Sequence, residues 1–400
     1  MRVLCTVWAV SSHLRPLLPV VRALLDAGDE VVVVTTEALA GAVAATGARV
    51  EPILRDPDPA GEPTDEPLEH GSPKANALAQ VLAGARLREQ VPGILALARD
   101  FGAELIIRDD SEFTGYLVGE VLGLPVVCLA GAMSNHFDTA AMATVLDGYR
   151  RRLGLPALLD PRGLYPGPIL DYLPEQLSVA ANKPERALRF REPWTEEPGE
   201  RLPEALASAP PERPVVFAAI GTAWRTWQRG GGPGGGSGAG PSGGPAGSAA
   251  DPVEEDLRLL LDALSEVDCT ALVSTGGLDG VELPHADHVT VLDFAPQRLV
   301  LRCAQLFCTH GGYNSIRESL GAGVPMLVRP SVLDQPANAR AVVELGLGSV
   351  ATGLDRAELA ALLRRSLADT GLAARARAAQ RALLALPGID TAPAALRALR

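Results

Sequence analysis

The stretch from Thr309 to Gly348, THGGYNSIRESLGAGVPMLVRPSVLDQPANARAVVELGLG, decides the fold. Just before it, Leu306 to Cys308 reads as a buried strand, and the chain then turns through His310, Gly311 and Gly312 into a helix. In an open α/β sheet ligands collect where strands end at their carboxyl side. The glycines allow close backbone approach, and Asn314 and Ser315 stand where a helix start offers free N–H groups and the positive end of its dipole. An anion such as a diphosphate suits that position without a metal. Ser315-x-x-Glu318 also has the spacing of a capping box, which taken singly accounts for both residues as helix-start chemistry.

Outward from this segment the same alternation recurs. Strands are expected at Val215–Ile220, Ala271–Ser274, Val289–Leu292 and Met326–Val328. Towards the N-terminus, Arg2–Val10 and Glu30–Thr35 flank a helix over Pro16–Ala27, with Pro16 in its first turn and Gly28 as its C-cap. A long helix is expected from about Lys74 to Phe101, a strand over Glu104–Arg108, a helix over Phe113–Leu122 and a strand over Pro125–Leu129. Strands separated by helices favour a parallel sheet covered on both faces. Residues 133–194 have weak periodicity and read as an irregular rim, and the prolines near 201–213 mark a linker. The reading is α/β with two Rossmann-like domains, residues 1–205 and 206–385. A helix over 386–400 is placed to pack back on the first domain. Residues 229–250, nearly all Gly, Pro, Ser and Ala, read as a disordered insertion, with neither the Lys nor the spacing of a phosphate loop.

Composition narrows the function. The 400 residues are 47% hydrophobic and carry a formal charge of −12, with the arginines scattered among acids, which argues against a nucleic-acid partner. Five cysteines form no Cys-x-x-Cys pair, and the odd number suits reduced thiols, so the cytoplasm is the expected compartment. No stretch is long enough to span a bilayer. Metal-ligand patterns are poor. Asp56-Pro57-Asp58 lies in an acidic loop without a preceding strand, and His285-Ala286-Asp287-His288 lacks a third clear ligand. No metal or other cofactor is expected.

Taken together, the spacing of His310, Gly312, Asn314, Ser315, Glu318 and Asp334-Gln335 resembles the C-terminal donor-binding signature of family 1 glycosyltransferases. That group includes plant secondary-product and bacterial antibiotic enzymes, and the bacterial ones are closest in character. The resemblance implies the GT-B fold, two Rossmann-like domains facing across a cleft. It implies diphosphate contacts from His310, Asn314 and Ser315 around the Gly311-Gly312 turn, ribose contacts from Glu318, and contacts from Asp334 and Gln335 to the transferred sugar. Phe294-Ala295-Pro296-Gln297 resembles the family's Trp-x-Pro-Gln element that holds the base, with Phe in place of Trp. Gly221-Thr222 corresponds to the loop after the first strand of the donor domain. Ser12-His13-Leu14-Arg15-Pro16 resembles the Gly-His-x-x-Pro turn whose histidine is the acceptor-activating base, with Ser12 in place of Gly.

An imidazole fits that task because its pKa lies near neutrality. Of the acids Asp109, Asp110 and Glu112 at the end of a strand in the same sheet, Asp109 is the best match for its partner, and all three stay open. The function implied is inverting, metal-independent transfer of a sugar from a dTDP or UDP donor to a small apolar acceptor such as a polyketide or macrolide aglycone. The acceptor pocket would be shaped by loops 55–73 and 133–172, in a monomer or homodimer. A nucleotide-sugar epimerase and a non-catalytic nucleotide-sugar-binding or activator protein share the architecture. Donor isomerisation without acceptor would reveal the first, and binding without turnover the second.

Overall fold

The structure is a computed structural model that describes residues 1–8, 10–55, 73–131, 135, 138–180, 185–194, 199–221, 252–278 and 286–400. Thr222, the 229–250 insertion, Asp56 to Asp58, His285 and most of the 55–73 loop lie outside these residues.

The first half runs β1 (Arg2–Thr6), α1 (Ser11–Asp26), β2 (Glu30–Val34), α2 (Glu37–Ala44), β3 (Arg49–Glu51), α3 (Pro73–Ala83), α4 (Arg86–Phe101), β4 (Leu105–Asp109), α5 (Thr114–Leu122), β5 (Val126–Leu129), α6 (Thr139–Arg152), β6 (Ile169–Asp171), β7 (Ala187–Arg189) and α7 (Glu204–Ala207). The second runs β8 (Val215–Ala219), α8 (Pro252–Leu264), β9 (Thr270–Ser274), β10 (Val289–Leu292), α9 (Gln297–Leu301), β11 (Leu306–Thr309), α10 (Tyr313–Ala322), β12 (Met326–Val328), α11 (Gln335–Glu344), β13 (Gly348–Val350), α12 (Arg356–Ala368), α13 (Thr370–Leu384) and α14 (Ala392–Arg397).

Two sheets result, ordered β3-β2-β1-β4-β5-β6-β7 and β10-β9-β8-β11-β12-β13. Their strand pairs are all parallel. Each sheet reverses direction beside its first strand, so β1 lies next to β4 and β8 next to β11. These are the switch points where an open sheet leaves a crevice. In β1, Val3 and Cys5 pack under α1 and α14 while Leu4 faces α4 and α5. In β8, Val216 and Ala218 face α8 and α12 while Phe217 and Ala219 face α10 and α13. Period-two burial on both faces makes these strands read as continuous apolar runs. The Phe217 cluster extends to Ile169, Leu173 and Leu177, so the two halves share packed apolar surface.

Several sequence expectations are corrected. The helix expected over 74–101 is two, because the chain breaks at Gly84-Ala85, where the Gly84 carbonyl accepts from the Tyr149 hydroxyl (2.9 Å). The rim expected over 133–194 supplies α6, whose Asp138 caps Ala140 and Ala141, and two further strands, β6 and β7. Helix α1 begins at Ser11, five residues before Pro16, so Pro16 lies inside the helix and not in its first turn. At the C-terminus α14 packs on α1, and Arg397 reaches Asp29 at 2.8 Å. Among the described residues no helix is long and apolar enough to cross a membrane.

Candidate active site

The two switch points face one cleft, of about 270 Å³, lined from both halves. On the first side the first turn of α1 carries His13 and the end of β4 carries Asp109. The strands are in register with Thr6 opposite Arg108, which brings the following residues together. His13 Nδ1 lies 2.8 and 3.0 Å from the Asp109 carboxylate oxygens. Ser111 donates to the same carboxylate from its hydroxyl (2.9 Å) and its N–H (3.3 Å). Trp8 meets the imidazole edge-on, ring centroids 5.4 Å apart. Burial disfavours the imidazolium, but the Asp109 charge and hydrogen bond outweigh it, and the His13 pKa is raised to about 9. Burial likewise opposes the Asp109 carboxylate, and His13 overcomes it, holding that group down at about 2.

The other two acids have further partners. Asp110 accepts from the Gly131 N–H (3.1 Å), and burial followed by the neighbouring Asp109 charge raises its pKa well above the carboxylate range. Glu112 accepts from the Thr6 hydroxyl and from the Thr114 and Gly115 N–H groups, capping α5. His13, Asp109 and Asp110 offer ligand atoms within 4.8 Å of one another. In this structure His13 and Asp109 are hydrogen-bonded to each other.

Sequence reasoning missed Arg108. It is fully buried at the end of β4 and donates to the carbonyls of Asp109 (3.1 Å), Asp110 (3.2 Å), Glu112 (3.0 Å) and Leu164 (2.7 Å). Phe113, Tyr116 and Tyr165 surround its guanidinium. This arginine shapes the loop that aims Asp109, and the signal was visible as a lone cation in an apolar strand.

On the second side His310 follows β11 and Gly221 follows β8, its neighbour. The imidazole sits between Gly221 and Gly312, where a Cβ at either would come within 2.6 Å of the ring. Burial lowers the His310 pKa to about 4, so the ring is neutral at pH 7, and among the described residues its Nδ1 has no partner. Helix α10 starts at Tyr313 with Gly312, which has no side chain to cap it, as N-cap. The capping box expected from Ser315 and Glu318 is therefore absent, because both residues lie within the helix. The N–H groups of its first turn are left to the cleft.

Phe294, 60% exposed, lies on the cleft with Ala295 and Gln297, as do Asn314, Ser315, Asp334 and Gln335. Burial raises the Asp334 pKa to about 6, with the Asn338 hydrogen bond opposing it. The Gln335 side-chain oxygen Oε1 accepts from the Ser331 and Val332 N–H groups (2.9 and 3.1 Å). Between them Leu333 adopts φ of 59°, a left-handed conformation costly for a branched side chain.

Two expected donor residues sit behind the surface. Gly311 shapes the turn at φ of 83°. Glu318 is 1% exposed and does not line the cleft. It accepts from Gln297 (2.6 Å) and Arg298 (3.0 Å), with Arg15 at 3.3 Å. Arg298 also pairs with Glu192 from the first half (2.6 Å), and Glu192 pairs with Arg317 (2.7 Å). A second missed residue is Asn338, fully buried on α11. It donates to the Gly311 carbonyl (3.0 Å) and to Asp334, and accepts from Asn135 of the first half (2.8 Å).

The chain is similar to known proteins over both of its halves. Residues 258–392 match the family described as erythromycin biosynthesis protein CIII-like, C-terminal domain. The chain is 25% identical over 352 residues to the NDP-glycosyltransferase YjiC of Bacillus subtilis (strain 168), covering 84% of this chain and 81% of that one. It is 26% identical over 354 residues to the 4'-demethylrebeccamycin synthase of Lentzea aerocolonigenes, covering 82% of each. The fold superposes on the spinosyn rhamnosyltransferase SpnG with a TM-score of 0.75 at 23% identity over both chains in full. It also superposes on the glycosyltransferase VinC, solved in complex with dTDP, with a TM-score of 0.70 at 22% identity over 100% of this chain and 99% of that one. The fold is thus that of the GT-B glycosyltransferases, which the chain resembles along most of its length. Among the relatives are antibiotic glycosyltransferases, and residues 258–392 are similar to the erythromycin CIII-like C-terminal domain.

Proposed function

We propose that this protein transfers a sugar from a dTDP or UDP donor to a hydroxyl of a small, largely apolar natural-product acceptor, with inversion at the anomeric carbon and without a metal. The observation that carries this reading is the placement of the His13–Asp109 pair in one cleft with the uncapped start of α10. His13 Nδ1 is committed to Asp109, so Nε2 takes the acceptor proton. The acceptor oxygen then attacks the anomeric carbon from the face opposite the nucleotide. The bond from that carbon to the diphosphate breaks, and the charge left on the diphosphate is met by the α10 N–H groups, the neutral His310 and the amide of Asn314. Phe294, exposed beside the cleft, offers a ring for the base to stack on. Asp334 and Gln335 face the sugar. The dTDP in VinC supports a thymidine donor, and uridine is the other arm of the test.

The experiment is incubation with dTDP- and UDP-sugars and a panel of phenolic and polyketide aglycones, in EDTA, with products identified by mass and anomeric configuration by NMR. A β-linked product from an α-linked donor is expected, and His13→Ala should lower its formation by about 10²–10⁴. Full activity in that variant, or a requirement for added metal, would overturn the mechanism. Donor isomerisation without acceptor would replace it by an epimerase.

A further inference from the structure

In an α-helix the carbonyl of each residue accepts from the N–H four residues on. For Ser12, in the first turn of α1, that residue is Pro16, which has no N–H to give. The Ser12 carbonyl accepts instead from Asn314 Nδ2, 2.7 Å away, on the first turn of α10 in the other half of the molecule. The same peptide unit that supplies this carbonyl supplies the N–H of His13. A carbonyl only accepts, so the amide of Asn314 is fixed with its nitrogen towards Ser12, and its second N–H stays available for an anion. Asn314 Oδ1 is buried and has no partner among the described residues.

We propose that Pro16 is a positioning residue. By withholding an N–H it reserves the Ser12 carbonyl for Asn314, so that one hydrogen bond ties the peptide bearing His13 to the helix start that would receive the diphosphate. The base then reaches its working position only when the two halves are together. Neighbouring contacts hold the same geometry: the Tyr172 hydroxyl donates to the Pro16 carbonyl (2.7 Å), and Arg15, one residue before Pro16, reaches Glu318 of α10. The catalytic consequence rests on the reading of this cleft as a sugar-transfer site, while the bond itself does not.

The test is a double-mutant cycle of Pro16→Ala and Asn314→Ala in the full chain. Turnover is followed with whichever donor and aglycone the assay above finds active, binding with dTDP and UDP alone, and melting without nucleotide. P16A restores the competing N–H, so kcat should fall about 3- to 10-fold, the range of a single hydrogen bond, with nucleotide Kd changed less than about twofold. N314A should lower kcat and weaken nucleotide binding, and the double variant should be no slower than N314A. Independent, multiplying effects would overturn the proposal. So would a P16A protein that turns over as wild type and melts higher, the pattern of a proline retained only for packing. If the wild-type protein transfers no sugar, the functional reading fails and the melting cycle still decides the bond. N314A should then lower Tm in the wild-type background and not in P16A, and an equal loss in both sinks it. Should P16A not fold, Asn314→Asp replaces the donor by an oxygen facing a carbonyl and should melt below N314A at pH 8. Equal melting would count against the bond.

Discussion

At the scale of single residues, the His13–Asp109 pair sets the pH at which the site can work. Asp109 raises the His13 pKa to about 9 against the cost of burial, so the free protein carries mostly imidazolium at pH 7. A base must be neutral to accept a proton. kcat/KM should therefore rise about tenfold per pH unit from neutrality and level off near pH 9. Asp109→Asn removes the largest of the charges that hold the pKa up, leaving burial opposed by Asp110 and Asp334. The limb should move down from about 9, while the plateau falls because the ring loses its orienting charge. A wild-type limb near pH 6.5 that is unchanged in D109N would refute this electrostatic account. Linkage gives the same pair a stability signature. The raised His13 pKa contributes stability that is complete below its unfolded value near 6.5 and is lost as pH rises through about 9. Its two partners were legible to different degrees. Asp109 stood out as an acid closing an apolar strand, yet choosing it over Asp110 and Glu112 needed the turn that points one carboxylate at Gly131 and another at α5.

At the scale of elements, the β11–α10 connection works because it lacks side chains at two points. Gly311 sits at φ of 83°, and a Cβ there would meet Val328 Cγ1 at 2.6 Å. Gly311→Ala should cost about 1–2 kcal/mol in backbone strain alone. Because the turn also seats His310 and starts α10, dTDP or UDP affinity should fall at least about tenfold. Calorimetric titration and a melting curve would check both, and a variant with unchanged affinity and Tm would show that the turn tolerates a side chain. The spacing of the motif made this turn and helix legible. It did not reveal that the helix is uncapped, because Ser315-x-x-Glu318 satisfies a capping rule whose register only the φ values place. Glu318 shows the same limit. Its carboxylate turns inward to Gln297 and Arg298, partners 20 and 21 residues away.

At the scale of the whole molecule, contacts between sequence-distant segments hold the two halves around the cleft. The C-terminal segment buries Ile389, Ala392 and Leu396 against α1, and Arg397 reaches the Asp29 carboxylate beside the N-terminal amine. Removing residues 387–400 exposes those side chains and the face of α1 that they cover. Counting Ile389 and Leu396 alone, stability should fall by about 3–6 kcal/mol. Differential scanning calorimetry of the truncated chain would test this, and an unshifted transition would mean that the tail packs without holding the fold. Helix α1 is the element most affected, and it carries His13, so activity should fall before the protein unfolds.

Composition and local pattern by themselves determined the α/β class, the two runs of alternating strand and helix, and the positions of the two turns, around His13 and His310, that line the cleft. Those features follow from periodic burial and from the few residues that suit a tight turn or a helix start, which are properties of short stretches of chain. The tertiary structure alone decided which acid meets His13, that Glu318 is spent on a buried ion network, that Arg108 and Asn338 brace the site, and that α1 hands a carbonyl to the opposite half. Each of these depends on a polar group finding a partner between 20 and about 300 residues away. The free energy of such a pair comes from burial and geometry at the contact, and neither member alone records it.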